Sequence, residues 1–114
     1  MGIDLGTTNS CVGVYLPDSG QIEIVANRLG KNTTPSWIGW TTNSRIVVGE
    51  RARNCKPMIY DAKRMIGRPY SAVQEEEFFK HWNFDVTPTD NDRCQIALSG
   101  KDPVAIEQVS AHVL

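Results

Sequence analysis

GIDLGTTNSCVGV, residues 2–14, is the stretch on which the reading of this chain turns. Two short apolar runs, 3–5 and 11–16, flank the polar turn GTTNS, which is the pattern of two strands joined by a tight connection. An aspartate interrupts the first run. In an alternating strand Asp4 faces opposite to Ile3 and Leu5, so with those two toward a core its carboxylate faces a cleft or solvent. A carboxylate held on a strand is a rigid oxygen group for a hydrated Mg²⁺. Gly6 permits close approach of a ligand to the backbone, and the N–H groups and hydroxyls of Thr7 and Thr8 suit a concavity for phosphate oxygens. The same residues also suit a plain hairpin turn with Asp4 solvated, and residue types alone do not choose between the two.

The chain has 114 residues, room for one domain or for part of a larger one. With 40% hydrophobic and 22% charged residues the composition is that of a globular protein. A formal net charge of -1 provides no field that would gather nucleic acid. No apolar run is long enough for a membrane span, so no membrane or nucleic-acid partner is expected and a soluble intracellular protein is. Cys11, Cys55 and Cys94 are three in number and widely spaced, which fits reduced thiols rather than a disulfide framework or a Cys-x-x-Cys metal pair. Neither a G-x-x-x-x-G-K-[ST] phosphate loop nor a G-x-G-x-x-G dinucleotide fingerprint is present, and His81 and His112 stand alone.

The first 26 residues read as three consecutive strands, 3–5, 11–16 and 21–26, followed by a polar loop over 27–35. Strands are expected at 36–41 and 45–49. The period then changes, predicting short helices over 50–56 and 60–66, the latter closed by Gly67, and a helix over 71–80 capped by Ser71 with Gln74. Strands at 84–86 and 94–98 flank PTDND, and 103–114 reads as a closing helix without a terminal cap, a sign of a chain that continues. The aromatics are expected to pack in the core.

DAKRMIGR, residues 61–68, carries the second chemical feature. At helical spacing Tyr60, Lys63 and Gly67 share a face beside Met65 and Ile66, which would hold the lysine in place. A lysine so held could neutralise charge on a transferred phosphoryl group and position an attacking water. Pairing of Lys63 and Arg64 with Asp61 on the surface is the plainer alternative.

GIDLGTTNSCVGV, VANRLGKNTTPSWIGWT, YDAKRMIGRPY and KHWNF together resemble the N-terminal part of the heat-shock protein 70 chaperones, over essentially the whole chain. The opening motif alone also resembles sugar and glycerol kinases; NTTPS and DAKRMIGR narrow it. The resemblance implies a mixed α/β fold of the actin-like, ribonuclease H-like type. Residues 1–35 would be its three-strand start and 36–114 mostly the inserted subdomain that carries Lys63. It implies Mg²⁺ held through water by Asp4, ATP or ADP phosphates held by Gly6, Thr7, Thr8 and Asn9, and Lys63, Asp4 and Thr7 as the hydrolytic group. It also implies unfolded peptides, J-domain co-chaperones and nucleotide exchange factors as partners of the intact protein, in the cytoplasm. The second phosphate loop and the peptide-binding domain of that family lie outside this sequence, so the isolated chain is expected to be inactive. A non-catalytic truncated paralogue and a sugar-kinase-like phosphotransferase are the alternatives. Two departures stand out: the connection 55–59 is shorter than the family's, and Trp37, Gly39 and Trp40 replace a smaller aromatic, Ala and Phe.

Overall fold

The computed structural model describes residues 1–114. Gly6, Thr7 and Thr8 make the connection between β1 (Gly2–Leu5) and β2 (Asn9–Leu16), so the Asn9 and Ser10 of GTTNS already belong to β2, and the Asp18–Gly20 turn leads back into β3 (Gln21–Ile24). The three strands form an antiparallel meander in the order β1-β2-β3. A two-residue strand, β4 (Thr34–Pro35), pairs with the start of β2, where Ser10 has Leu5 on one side and Thr34 on the other. β4 therefore lies on the β3 side of β2. It falls inside the stretch expected to be a polar loop, and Asn27 accounts for it. The Asn27 carboxamide oxygen accepts the N–H groups of Leu29 and Lys31, and its nitrogen donates to the Thr33 carbonyl and the Thr34 hydroxyl. That knot turns the chain so that Pro35 and Ser36 return to the GTTNS turn.

A second sheet, ordered β6-β5-β7, joins β5 (Ile38–Trp40), β6 (Ile46–Val48) and β7 (Met58–Ile59). A third, ordered β10-β9-β8, joins β8 (Asp85–Pro88), β9 (Cys94–Leu98) and β10 (Lys101–Ala105). A short helix, α1 (Tyr70–Val73), and the closing helix α2 (Ile106–Val113) complete a mixed α/β architecture. No helix is long and apolar enough to cross a membrane.

The core lies among the second and third sheets and α2. Ile38, Ile59, Met65, Val73, Ile96 and Val109 are fully buried there. Trp82 stacks on Phe84 at 5.4 Å between centroids, and Tyr60 meets Phe84 edge-on, so these aromatics serve as packing, as expected. The meander contributes little to this core: Ile3, Ile22 and Ile24 are exposed, as is Tyr15. The molecule is accordingly elongated, with a radius of gyration of 15.9 Å, where a compact chain of this length has about 13 Å.

The helices predicted after Glu50 are mostly shorter than the sequence pattern indicates. Residues Gly49–Ala52 and Ala62–Arg64 form single 3₁₀ turns in place of helices over 50–56 and 60–66. Asp61 enters the second of these with φ 58°, a left-handed conformation that interrupts any longer helix. The helix expected over 71–80 is divided into α1 and a 3₁₀ segment, Glu77–His81. Ser71 does not cap it: Pro69 precedes the helix, and the Ser71 N–H and hydroxyl both donate to the Asp92 carboxylate. A tertiary partner has taken the group that local pattern assigned to the cap. In the last segment 103–105 extends β10, and only from Ile106 does the chain become helical. Pro103 is tolerated because β10 is an edge strand whose register shifts between Lys101 and Val104. The Gln108 side chain accepts the Ala105 N–H, which closes the first turn of α2. Arg93, just before β9, donates to Glu107 of α2, and that carboxyl lies below its ordinary range through its own backbone N–H and then through Arg93.

Candidate functional site

The GTTNS turn closes tightly because residue 6 is glycine. A Cβ at Gly6 would collide with the Asn9 carbonyl oxygen, a backbone atom that cannot swing aside. The turn is then clamped from outside by Ser36. Its N–H donates to the Thr8 carbonyl at 2.9 Å, and its hydroxyl donates to the Gly6 carbonyl at 2.8 Å. With that proton committed, the buried Ser10 hydroxyl 2.8 Å away is the donor to Ser36. The Gly6 and Thr8 carbonyls are thus taken by Ser36, which leaves the Thr7 and Thr8 side chains and backbone N–H groups outside the clamp.

Ser36→Ala leaves the Gly6 carbonyl and the Ser10 hydroxyl without this partner, in a region that excludes most water. An expected cost of about 1–3 kcal/mol follows, read as a lower midpoint in denaturant unfolding. Ser36→Thr, which keeps the hydroxyl, recovers part of it.

Lys63 reaches the turn from the other side. The 3₁₀ period of three puts Ala62 and Met65 on one buried face and leaves Lys63 and Arg64 outward. Arg64 is occupied locally, 3.5 Å from the Asp61 carboxylate and stacked over the Phe78 ring. Asp61 in turn accepts the Trp82 indole N–H at 3.1 Å, which fixes the bend that presents the next two side chains. Lys63 takes no part in these pairs. Its ammonium donates instead to the Leu5 carbonyl at 2.9 Å, a contact across 58 positions of sequence. The plainer alternative of surface pairing with Asp61 therefore describes Arg64 and not Lys63.

The residues singled out in the sequence divide into two groups. Gly6, Thr7 and Lys63 line one narrow cavity together with Leu5, Ser36 and the end of α2. Its volume is ≈ 30 Å³, far below the several hundred Å³ typical of a small-molecule site, so it does not by itself enclose a small molecule. Asp4, Thr8 and Asn9 are exposed beside it, with Asp4 opposite Cys11 in the β1–β2 ladder and Asn9 opposite Pro35 in the β2–β4 pair. No group of three or more His, Cys, Asp or Glu side chains gathers around Asp4 or elsewhere. That donor set does not suit a protein-enclosed cation. It does suit Mg²⁺, which keeps most of its waters and takes its remaining ligands from one carboxylate and from phosphates.

Ser10, Ser36 and Trp82 were not singled out for the site from sequence. Ser36 carried a signal in its place at the end of NTTPS, but no periodicity connects it with a turn 30 residues earlier.

The family model described as Hsp70 protein matches residues 1–114. "Heat shock cognate 70 kDa protein 3" of Dictyostelium discoideum is 40% identical over an alignment that covers 100% of this chain and 19% of the relative. "Putative heat shock 70 kDa protein 7" of Homo sapiens is 38% identical, with 100% and 32% covered. "Chaperone protein DnaK" of Stenotrophomonas maltophilia is 34% identical, with 100% and 18% covered. The chain thus spans about a fifth to a third of the length of these relatives. The Dictyostelium alignment runs over 123 positions against 114 residues here, so that relative has positions without counterpart in this chain.

Proposed function

The chain belongs to the Hsp70 family, and from that membership we propose that its 114 residues are the first part of an ATP-binding domain of actin-like, ribonuclease H-like fold. Residues 1–35 supply the phosphate-turn meander and 36–114 mostly the subdomain that carries Lys63. In the full-length protein the activity proposed is hydrolysis of ATP to ADP and phosphate, coupled to binding and release of unfolded peptides. J-domain co-chaperones and nucleotide exchange factors are the proposed regulators, and the cytoplasm the proposed compartment. The observation that carries the reading is the Lys63 ammonium on the Leu5 carbonyl, beside Gly6 and Thr7.

Each residue then has a task. Gly6, Thr7, Thr8 and Asn9 hold the β- and γ-phosphate oxygens through turn N–H groups and hydroxyls. Asp4 orients the water shell of Mg²⁺, which when bound supplies positive charge against the phosphates. The Lys63 ammonium has three protons to donate, and the Leu5 carbonyl takes one. The remaining two are directed at the transferred phosphoryl group and at the attacking water, neutralising charge on the one and orienting the other, with Thr7 Oγ1 as the nearest hydroxyl. Phosphoryl transfer is catalysed almost wholly by positioning and electrostatics. A single wall does not enclose the reaction, so the 114-residue chain by itself is expected to show no ATP turnover and no peptide binding. Phosphate release from Mg-ATP, measured for the isolated chain and for the full-length protein under the same conditions, tests both statements. Turnover by the isolated chain comparable to the full-length protein, or none by either, overturns the reading.

A further inference from the structure

We propose that a second cavity, between the Asn54–Pro57 connection and the β9–β10 turn, is a binding site for a small aromatic anion. The cavity measures ≈ 480 Å³, within the range of about 300–1,000 Å³ usual for small-molecule sites. Trp40, Pro57 and Leu98 give it apolar walls, Lys56 and Lys101 lie on its rim, and no carboxylate lines it. Neither lysine takes part in an ion pair, although six such pairs occur elsewhere in the chain. Two uncompensated cations beside an aromatic wall attract a planar anion through charge and stacking together.

The cavity takes one wall from the Asn54–Pro57 connection, which is seated on β5. Cys55 packs directly on Gly39: a Cβ at residue 39 would lie 2.8 Å from the Cys55 Sγ and closer still to its Cβ. Glycine at 39 therefore lets the Asn54–Pro57 connection sit down on β5, with Trp40 lining the cavity beside it. The Cys55 N–H donates to the Ala52 carbonyl at 2.9 Å, which pins the other end. The cavity is separate from the Lys63 site, sharing no lining residue with it, and does not depend on the reading proposed for that site.

Cys55 lines the cavity and serves as the reporter. In the full-length protein its thiolate attacks either of two aromatic disulfides. One is the dianionic dithiobis-nitrobenzoate, the other the uncharged dithiodipyridine. In each case a protein–aryl disulfide forms and the other aryl thiolate leaves, and mass spectrometry of the Cys55 peptide separates this adduct from those at Cys11 and Cys94. Modification by the anionic probe is expected to saturate with its concentration, whereas the uncharged probe reacts in simple proportion. The double variant Lys56→Gln, Lys101→Gln is expected to slow the anionic probe about tenfold at low concentration and to leave the uncharged probe unchanged. Proportional kinetics for the anionic probe, equal effects of the variant on both probes, or a Cys55 that neither probe reaches would each overturn the proposal.

Discussion

Lys63→Ala in the full-length protein is expected to lower ATP turnover about 10²- to 10³-fold, the usual cost of removing one preorganised electrostatic group from a transition state. In the proposed complex Mg²⁺ and the turn N–H groups would already offset the ground-state charge of the nucleotide, so affinity should fall much less than kcat. That split separates a chemical role from a structural one. The hydrogen bond from Lys63 to the Leu5 carbonyl is exposed, and its loss alone costs only about 0.5–1.5 kcal/mol. A variant with slightly lower stability and normal single-turnover hydrolysis would show that Lys63 merely braces β1. Lys63→Arg is expected to remain impaired, because a planar guanidinium cannot place a compact charge on the carbonyl and the phosphoryl group together. Trp82→Phe, which removes the N–H that Asp61 accepts, loosens the bend before Lys63 and should give an intermediate rate.

Gly6→Ala should be nearly as severe through a different route. The added methyl meets the Asn9 carbonyl oxygen, and relief requires the turn itself to open. Opening it withdraws the Gly6 carbonyl from Ser36 and splays the N–H groups proposed to hold phosphate. Mg-ATP affinity of the full-length protein is expected to fall tenfold or more, about 1.4 kcal/mol or above, with a loss of stability of about 1–3 kcal/mol from overpacking. Titration calorimetry and thermal unfolding read the two effects separately. Gly2→Ala is the control: nothing lies within 4 Å of a Cβ there, so the same substitution four positions earlier should leave both unchanged. Wild-type affinity in Gly6→Ala would show that the turn does not carry phosphate.

The contrast between the two halves of the site explains how much of it could be read in advance. Gly6, Thr7 and Thr8 are neighbours in sequence, and a turn between two apolar runs is a local event, so strand boundaries and turn chemistry agreed with the structure closely. The same holds for β9 and for the strands around Trp40 and Val47. In the helices expected after residue 49 the local signals compete with tertiary ones and lose. Ser71 has the chemistry of a cap, yet Asp92 claims it from 21 positions away. Residues 103–105 precede a helix that begins only at Ile106, because β9 offers an edge to which Val104 and Ala105 pair.

By itself the sequence determined the chemical inventory: an aspartate on a strand, a glycine-threonine turn after it, a lysine beside Met65 and Ile66, and a pattern shared with one family. Tertiary structure decided which of these meet. Lys63 could have paired with Asp61, two positions before it, and it is Arg64, three positions on, that does so, while Lys63 crosses to Leu5. Ser36 became the clamp of the turn because Asn27 folds the intervening loop back on it. Contacts of this kind depend on the summed directions of many backbone dihedrals between the partners, and periodicity in a single segment carries no information about that sum.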